Sequence, residues 1–334
     1  MPALFKKMKL WQQDFLSRRP HRTLKLSRRR DYARSLELPG YVAFTHSVNK
    51  TVWLHRKALI SLAAIHLVLF ILLVGLGSQE TFKSLSDSLK DATSGAASGD
   101  VTQLAEVTAV FASIATVGAA ESPTEAQQVY IILLGLLVWL ASVWLLRNRM
   151  AGHKVSLRDS LYNAGAPIVP LFLTGLVLLI QMIPILLAVI GYSAATSSGL
   201  IAGGVEAMLF WIAAGLLALI SIFWATGTLF AMVIVTLPGM YPSKALRSAG
   251  DLVLGRRFRI ILRWSWMFLM VALAWAIVLV PMVFLVNVIQ SVWPAFGNAP
   301  VIPFTLAILG TFSLIWVSSY IYLLYRKVVD GSTK

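Results

Sequence analysis

Six stretches of this chain are each apolar over about 20 residues, the length at which an α-helix crosses ~30 Å of hydrocarbon. They run over 58–77, 129–146, 167–192, 208–237, 264–289 and 301–325, and Asp, Glu, Lys and Arg are absent from their central turns. Six such runs leave little of the chain that needs to face water. The composition agrees, with 58% hydrophobic and only 13% charged residues and a mean hydropathy of +0.77, against about a quarter charged in a soluble domain. The expected fold class is therefore all-α, a polytopic membrane protein with six transmembrane helices.

The charges set the expected orientation. Lys and Arg number 14 before the first span, 2 in the first connection, 4 in the second, none in the third, 6 in the fourth, none in the fifth and 3 after the last span. With the N-terminus inside, all but 2 of the 29 fall on the cytoplasmic side. Basic residues near spans are retained there, so both ends are expected in the cytoplasm of a bacterial plasma membrane. The sequence then divides into a basic cytoplasmic arm over 1–57, a membrane domain over 58–325 with an external loop at 78–128, and a short tail over 326–334. Residues 1–19 have no uninterrupted apolar h-region and no small-residue cleavage site, so a cleaved signal peptide is not expected. The run at 104–120 holds Glu106, and counting it as a seventh span would put Arg147, Arg149, Lys154 and Arg158 outside. It is read as a helix in the external loop.

In the arm, Leu4, Met8, Trp11 and Phe15 repeat at helical spacing, with Lys6, Lys7 and Lys9 mostly elsewhere around the turn. That is the pattern of a helix lying in the membrane interface. Between residues 18 and 34 the chain carries eight Lys or Arg, among them Arg18, Arg19, Arg28, Arg29 and Arg30. Few aromatics and no nucleic-acid motif accompany them, so anionic lipid is favoured over nucleic acid as their partner.

A short repeat follows. Ser160-Leu-Tyr-Asn-Ala-Gly165 matches Ala245-Leu-Arg-Ser-Ala-Gly250 at Leu, Ala and Gly. Each copy is expected to close a short amphipathic helix just before a span. The first opens on a capping-box-like Ser156-Leu-Arg-Asp159, and Gly165 with Pro167 suits a bend into the bilayer. The segment 42–57 is a degenerate third copy, which gives three helical hairpins, each preceded by an in-plane cytoplasmic helix.

Chemistry within a membrane declares itself through ionisable groups where they are costly. His66 alone qualifies, and with no carboxylate at its depth the favoured role is a bond to a carbonyl or hydroxyl inside the bundle. Gln181 and Asn287 are the other intramembrane polar candidates, favoured as cross-helix bonds over a polar path. Pro184 and Pro281 are expected to bend their spans. Gly203, Gly204, Gly215 and Gly227 are expected to allow close helix packing. Trp53, Trp144, Trp264 and Trp266 are expected as the inner aromatic belt and Trp293 as part of the outer one. Arg256, Arg257, Arg259 and Arg263 lead into the fifth span between apolar residues. They are candidate anionic-lipid contacts, with stems along apolar surface and guanidinium groups at phosphate. The chain has no Cys, and its His residues lack ligand spacing, so no metal or other cofactor is expected.

Residues 155–172 (VSLRDSLYNAGAPIVPLF) and 225–262 (ATGTLFAMVIVTLPGMYPSKALRSAGDLVLGRRFRIIL) carry a family likeness. Over about 145–285 the chain resembles the bacterial multi-helix membrane domain joined to glycerophosphoryl diester phosphodiesterases, and its stand-alone relatives. The resemblance implies a fold in which a span is followed by a short helix, a Gly–basic element and another span. It implies no activity, since the acidic and histidine cluster of the phosphodiesterase is missing. The function expected is non-enzymatic: a membrane-organising or partner-binding component that engages anionic lipid and a membrane-protein partner or second copy. The alternative is a transporter or channel for a small or amphipathic solute.

Overall fold

A computed structural model describes residues 38–76, 124–197, 204–293 and 299–330. The interfacial helix, Arg18, Arg19, Arg28, Arg29, Arg30 and the run at 104–120 lie outside the described residues. Ten helices account for nearly all that is described, with no strand among them. They are α1 (Tyr41–Leu54), α2 (Arg56–Leu73), α3 (Glu125–Met150), α4 (Leu157–Ala164), α5 (Ile168–Gln181), α6 (Ile183–Ser197), α7 (Gly204–Ile234), α8 (Pro242–Val253), α9 (Arg257–Val292) and α10 (Val301–Asp330). Six spans are long and apolar enough to cross a bilayer: α2, α3, α5 with α6, α7, α9 and α10. The chain is an all-α, multi-pass membrane protein.

Local chemistry fixes the helix ends. Thr124 and Gln127 form a capping box at the start of α3, Glu125 sits in its first turn, and Arg147 and Arg149 sit in its last. Each charge complements the helix dipole at its end. The expected box before α4 is present: Ser156 Oγ accepts from the Asp159 N–H, and Asp159 accepts from the Ser156 N–H and hydroxyl. These bonds hold the Asp159 carboxyl below the usual carboxylate range, the side-chain bond from Ser156 contributing most. Pro242 occupies the first turn of α8, where a missing N–H costs nothing.

The two repeat copies end differently. Gly165 follows α4 in an ordinary right-handed conformation, so that bend does not draw on glycine's freedom. Gly250 does not close a helix at all: α8 runs on to Val253, and the turn into α9 uses Gly255 at φ +75°. Pro281 lies inside α9, which continues through it as one helix. Pro184 does break its span. With no N–H of its own and a ring that crowds the preceding turn, it separates α5 from α6 at Met182.

Consecutive spans pack as neighbours in three pairs: α2 with α3, α5–α6 with α7, and α9 with α10. Helices α3 and α10 form the middle, with 50% and 44% of their apolar windows buried, against 6% for α5–α6, α7 and α9. Helix α10 touches α1, α2, α3, α7 and α9. The main core gathers at one end of the bundle around Tyr320, Phe44, Phe230 and Leu145, and a smaller cluster of Val286, Ile302 and Leu306 joins α9 to α10 at the other. Gly215 and Gly227 do not serve close packing, since a Cβ added at either meets nothing within 4 Å. Neither is pressed against a neighbouring helix.

Alternating span direction sorts the charges. The start of α2, the end of α3, helices α4 and α8, the start of α9 and the end of α10 share one end of the bundle. Arg147 Nη1 donates to the Thr236 carbonyl at 3.0 Å, and Tyr320 donates to the Arg263 carbonyl at 3.3 Å. Every described Lys and Arg lies at this end. The opposite end is tied by Gln127, whose amide donates to the Val74 carbonyl at 2.8 Å.

Candidate functional site

Several polar groups inside the spans bond across helices. Thr311 Oγ1 donates to the Ala307 carbonyl at 2.8 Å and lies 2.9 Å from His66 Nδ1. The hydroxyl proton is already committed, so Nδ1 is the donor and the protonated ring nitrogen. His66 is buried and joins α2 to α10. Thr228 of α7 donates to Gln181 Oε1 of α5 at 2.6 Å. Trp275 Nε1 of α9 donates to Ser313 Oγ of α10 at 2.7 Å. At the Pro184 break, the Ile185 N–H donates to Ser221 Oγ of α7 at 3.2 Å. Each pair spans two helices, the arrangement that holds membrane bundles together. Asn287 lies on α9, and its side chain is outside what is described.

The arginines leading into α9 divide between interior and surface. Arg263 is only 5% exposed. It donates to the Pro39 carbonyl, and its guanidinium carbon lies 4.6 Å from the Tyr41 ring centre and 5.4 Å from that of Phe44. A cation removed from water is stabilised by such ring faces and by a carbonyl. Arg256 is 7% exposed. Both expected lipid contacts are thus buried side chains. Arg257 keeps partial exposure, donating to the Phe223 carbonyl at 3.0 Å with its guanidinium 4.0 Å over the Phe223 ring. Arg259 is exposed.

The tryptophans divide the same way. Trp53 and Trp293 are exposed, as belt residues should be. Trp264 is a core residue, 5% exposed and edge-on to Phe230 at 5.9 Å.

Arg263 is one of several ties that lay α1 across the bundle. Trp266 Nε1 of α9 donates to Thr45 Oγ1 at 3.0 Å, and Trp316 Nε1 of α10 donates to Asn49 Oδ1 at 2.8 Å. Beneath α1, helices α2 and α9 both lean on α10 and leave a crevice between them of about 470 Å³. Leu59 and Ile60 of α2, Met270 and Ala274 of α9, and Leu309 and Phe312 of α10 make it apolar. Its polar rim is Thr45, Asn49 and Arg56, with the Arg56 guanidinium 4.6 Å over the Trp53 ring. His55 precedes Arg56, and burial, then the charge of Arg149, lowers its pKa from 6.5.

Among the described residues, no group of three His, Asp or Glu side chains could hold a metal ion. No family model, curated protein or solved structure matches the chain. The crevice and the Arg56 rim had not been singled out by sequence. Arg56 lies in a His-Arg-Lys run at the start of the first span, and nothing in the pattern brings α9 to face α2.

Proposed function

We propose that this protein is a non-catalytic, membrane-organising component of a bacterial plasma membrane. Its basic end faces the cytoplasm and an anionic leaflet, with both chain termini on that side. The observation that carries this reading is the gathering of every described Lys and Arg at one end of the bundle. Each exposed basic residue near an anionic surface contributes ~1 kcal/mol of attraction. Four polar ties within the spans join one helix to another, which suits a scaffold better than a conduction path. The likeness of 145–285 to the phosphodiesterase-associated domain is, on this reading, kinship of fold without its chemistry. The partners are anionic lipid and a membrane-protein partner or second copy.

The test is retention of lipid by the full chain. Protein reconstituted in mixed phosphatidylglycerol and phosphatidylcholine is extracted in mild detergent, and the lipid that stays bound is identified. Enrichment of phosphatidylglycerol over the bilayer ratio, falling as salt rises, supports the proposal. An unchanged ratio refutes it. A transporter for an amphipathic solute is the second reading, favoured by the crevice and the broken third span. Protein-dependent movement of a labelled amphiphile between leaflets would replace the scaffold reading with that one.

A further inference from the structure

The crevice has one charged edge and a direction. Arg56 stands at the basic end of α2, and from there the apolar wall descends along α10 from Trp316 to Leu309. The seven helical steps between them span about 10 Å at ~1.5 Å per residue. One leaflet contributes about 15 Å of hydrocarbon, so the crevice matches the upper part of an acyl chain. Its volume of about 470 Å³ lies within the range of ligand sites. Arg56 is exposed, and among the described residues no carboxylate lines the crevice. The Arg56 guanidinium carbon sits 4.6 Å over the Trp53 ring, and the planar fork of N–H donors that a guanidinium carries suits phosphate.

We propose that this crevice holds an acyl chain of an anionic phospholipid, with the lipid phosphate at Arg56. The proposal rests on the contact of the basic end with an anionic leaflet and goes further, placing a lipid tail inside the bundle. Charge argues against the other occupants. The chain's own segment 1–37 is rich in Lys and Arg, which Arg56 repels. A second copy meeting at this end would bring two basic surfaces together.

The experiment places the full chain in bilayers with phosphatidylglycerol carrying a photoactivatable acyl chain, or with phosphatidylcholine carrying the same chain. Labelled residues are located by mass spectrometry. Met270, Ala274 and Phe312 are expected to take more label than Ile277 and Phe284, which are 71% and 68% exposed on the lipid-facing side of α9. Phosphatidylglycerol should label the crevice roughly fivefold more than phosphatidylcholine, the effect of one Arg near the surface. R56Q should bring the two lipids level, and A274F should reduce crevice label to the level of Ile277. R56Q changes an exposed residue, so it serves even if A274F does not fold. Equal labelling of Met270 and Ile277 overturns the proposal. So does equal labelling by the two lipids, or crosslinking of the crevice to residues 1–37 or to a second copy. If bound lipid is still enriched in phosphatidylglycerol while the crevice takes no excess label, the tail site fails and the basic-end contact stands. Without enrichment, both fail.

Discussion

The break in the third span gives a sharp test of how this bundle satisfies its backbone. Pro184 has no N–H and crowds the preceding turn, so α5 ends at Gln181 and the Ile185 N–H turns to Ser221 Oγ at 3.2 Å. Ser221 is fully buried. Ser221→Ala leaves that N–H without its acceptor in an apolar setting. Orphaning a buried donor costs ~1–3 kcal/mol, while hydrogen bonds between membrane helices average ~0.6 and reach ~1.7. For a buried backbone donor the upper part of that range applies, and S221A should cost about 1–2 kcal/mol, or roughly 5- to 30-fold in the folding equilibrium. In a Pro184→Ala background the ring is gone, the substituted alanine supplies an N–H, and α5 can run into α6 with Ile185 bonded to the Gln181 carbonyl. S221A should then cost less than about 0.5 kcal/mol, within the usual error of additivity. Reversible unfolding in mixed micelles, with all four members of the cycle, measures both costs. Equal costs in the two backgrounds would mean that Ser221 does not compensate for the proline, and the account of the break would be wrong.

Further outcomes follow from the other polar ties. Thr311→Val removes the acceptor of the His66 Nδ1–H and should lower stability by about 0.6–1.7 kcal/mol; the same loss in an H66L background would show that the pair is not coupled. His55 has a lowered pKa in the fold, so the unfolded chain binds the extra proton. Its contribution is fully present above pH 6.5 and is lost as pH falls through that value toward the folded pKa. Denaturation at pH 7.5 and 5.5 should therefore show a smaller drop for H55Q than for the wild type. For orientation, cysteines at Ser94 and Ser98 should react with an impermeant thiol reagent on intact cells, whereas cysteines at Ser156 and Ser243 should react only after the membrane is opened. Surface labelling at Ser156 would reverse the proposed orientation of the basic end.

How much of this was legible in sequence depended on whether a feature is local. The six spans were readable because each is one uninterrupted apolar run, and the box before α4 because Ser156 and Asp159 lie three residues apart. Helix α9 reaches further than its apolar run over 264–289. The chain turns helical at Arg257 rather than near residue 264, and the apolar count there is diluted by arginines. One of them, Arg263, is not a surface charge at all. Its burial depends on α1 folding over it, and the available hint was aromatic, Tyr41 and Phe44 three apart on one side of a helix. His66 and Gln181 were recognised as groups needing partners. The partners were threonines within other apolar runs, Thr311 lying 245 residues from His66 and Thr228 47 from Gln181, and nothing local distinguishes a threonine that bonds across helices from one bonded to its own backbone. The crevice lay furthest from reach, because it is made by two helices that fail to close on each other. Sequence patterns report what a residue can bury. They do not report which surface its neighbours leave uncovered, and in this bundle that surface is decided by α10, which α2 and α9 both contact while remaining apart beneath α1.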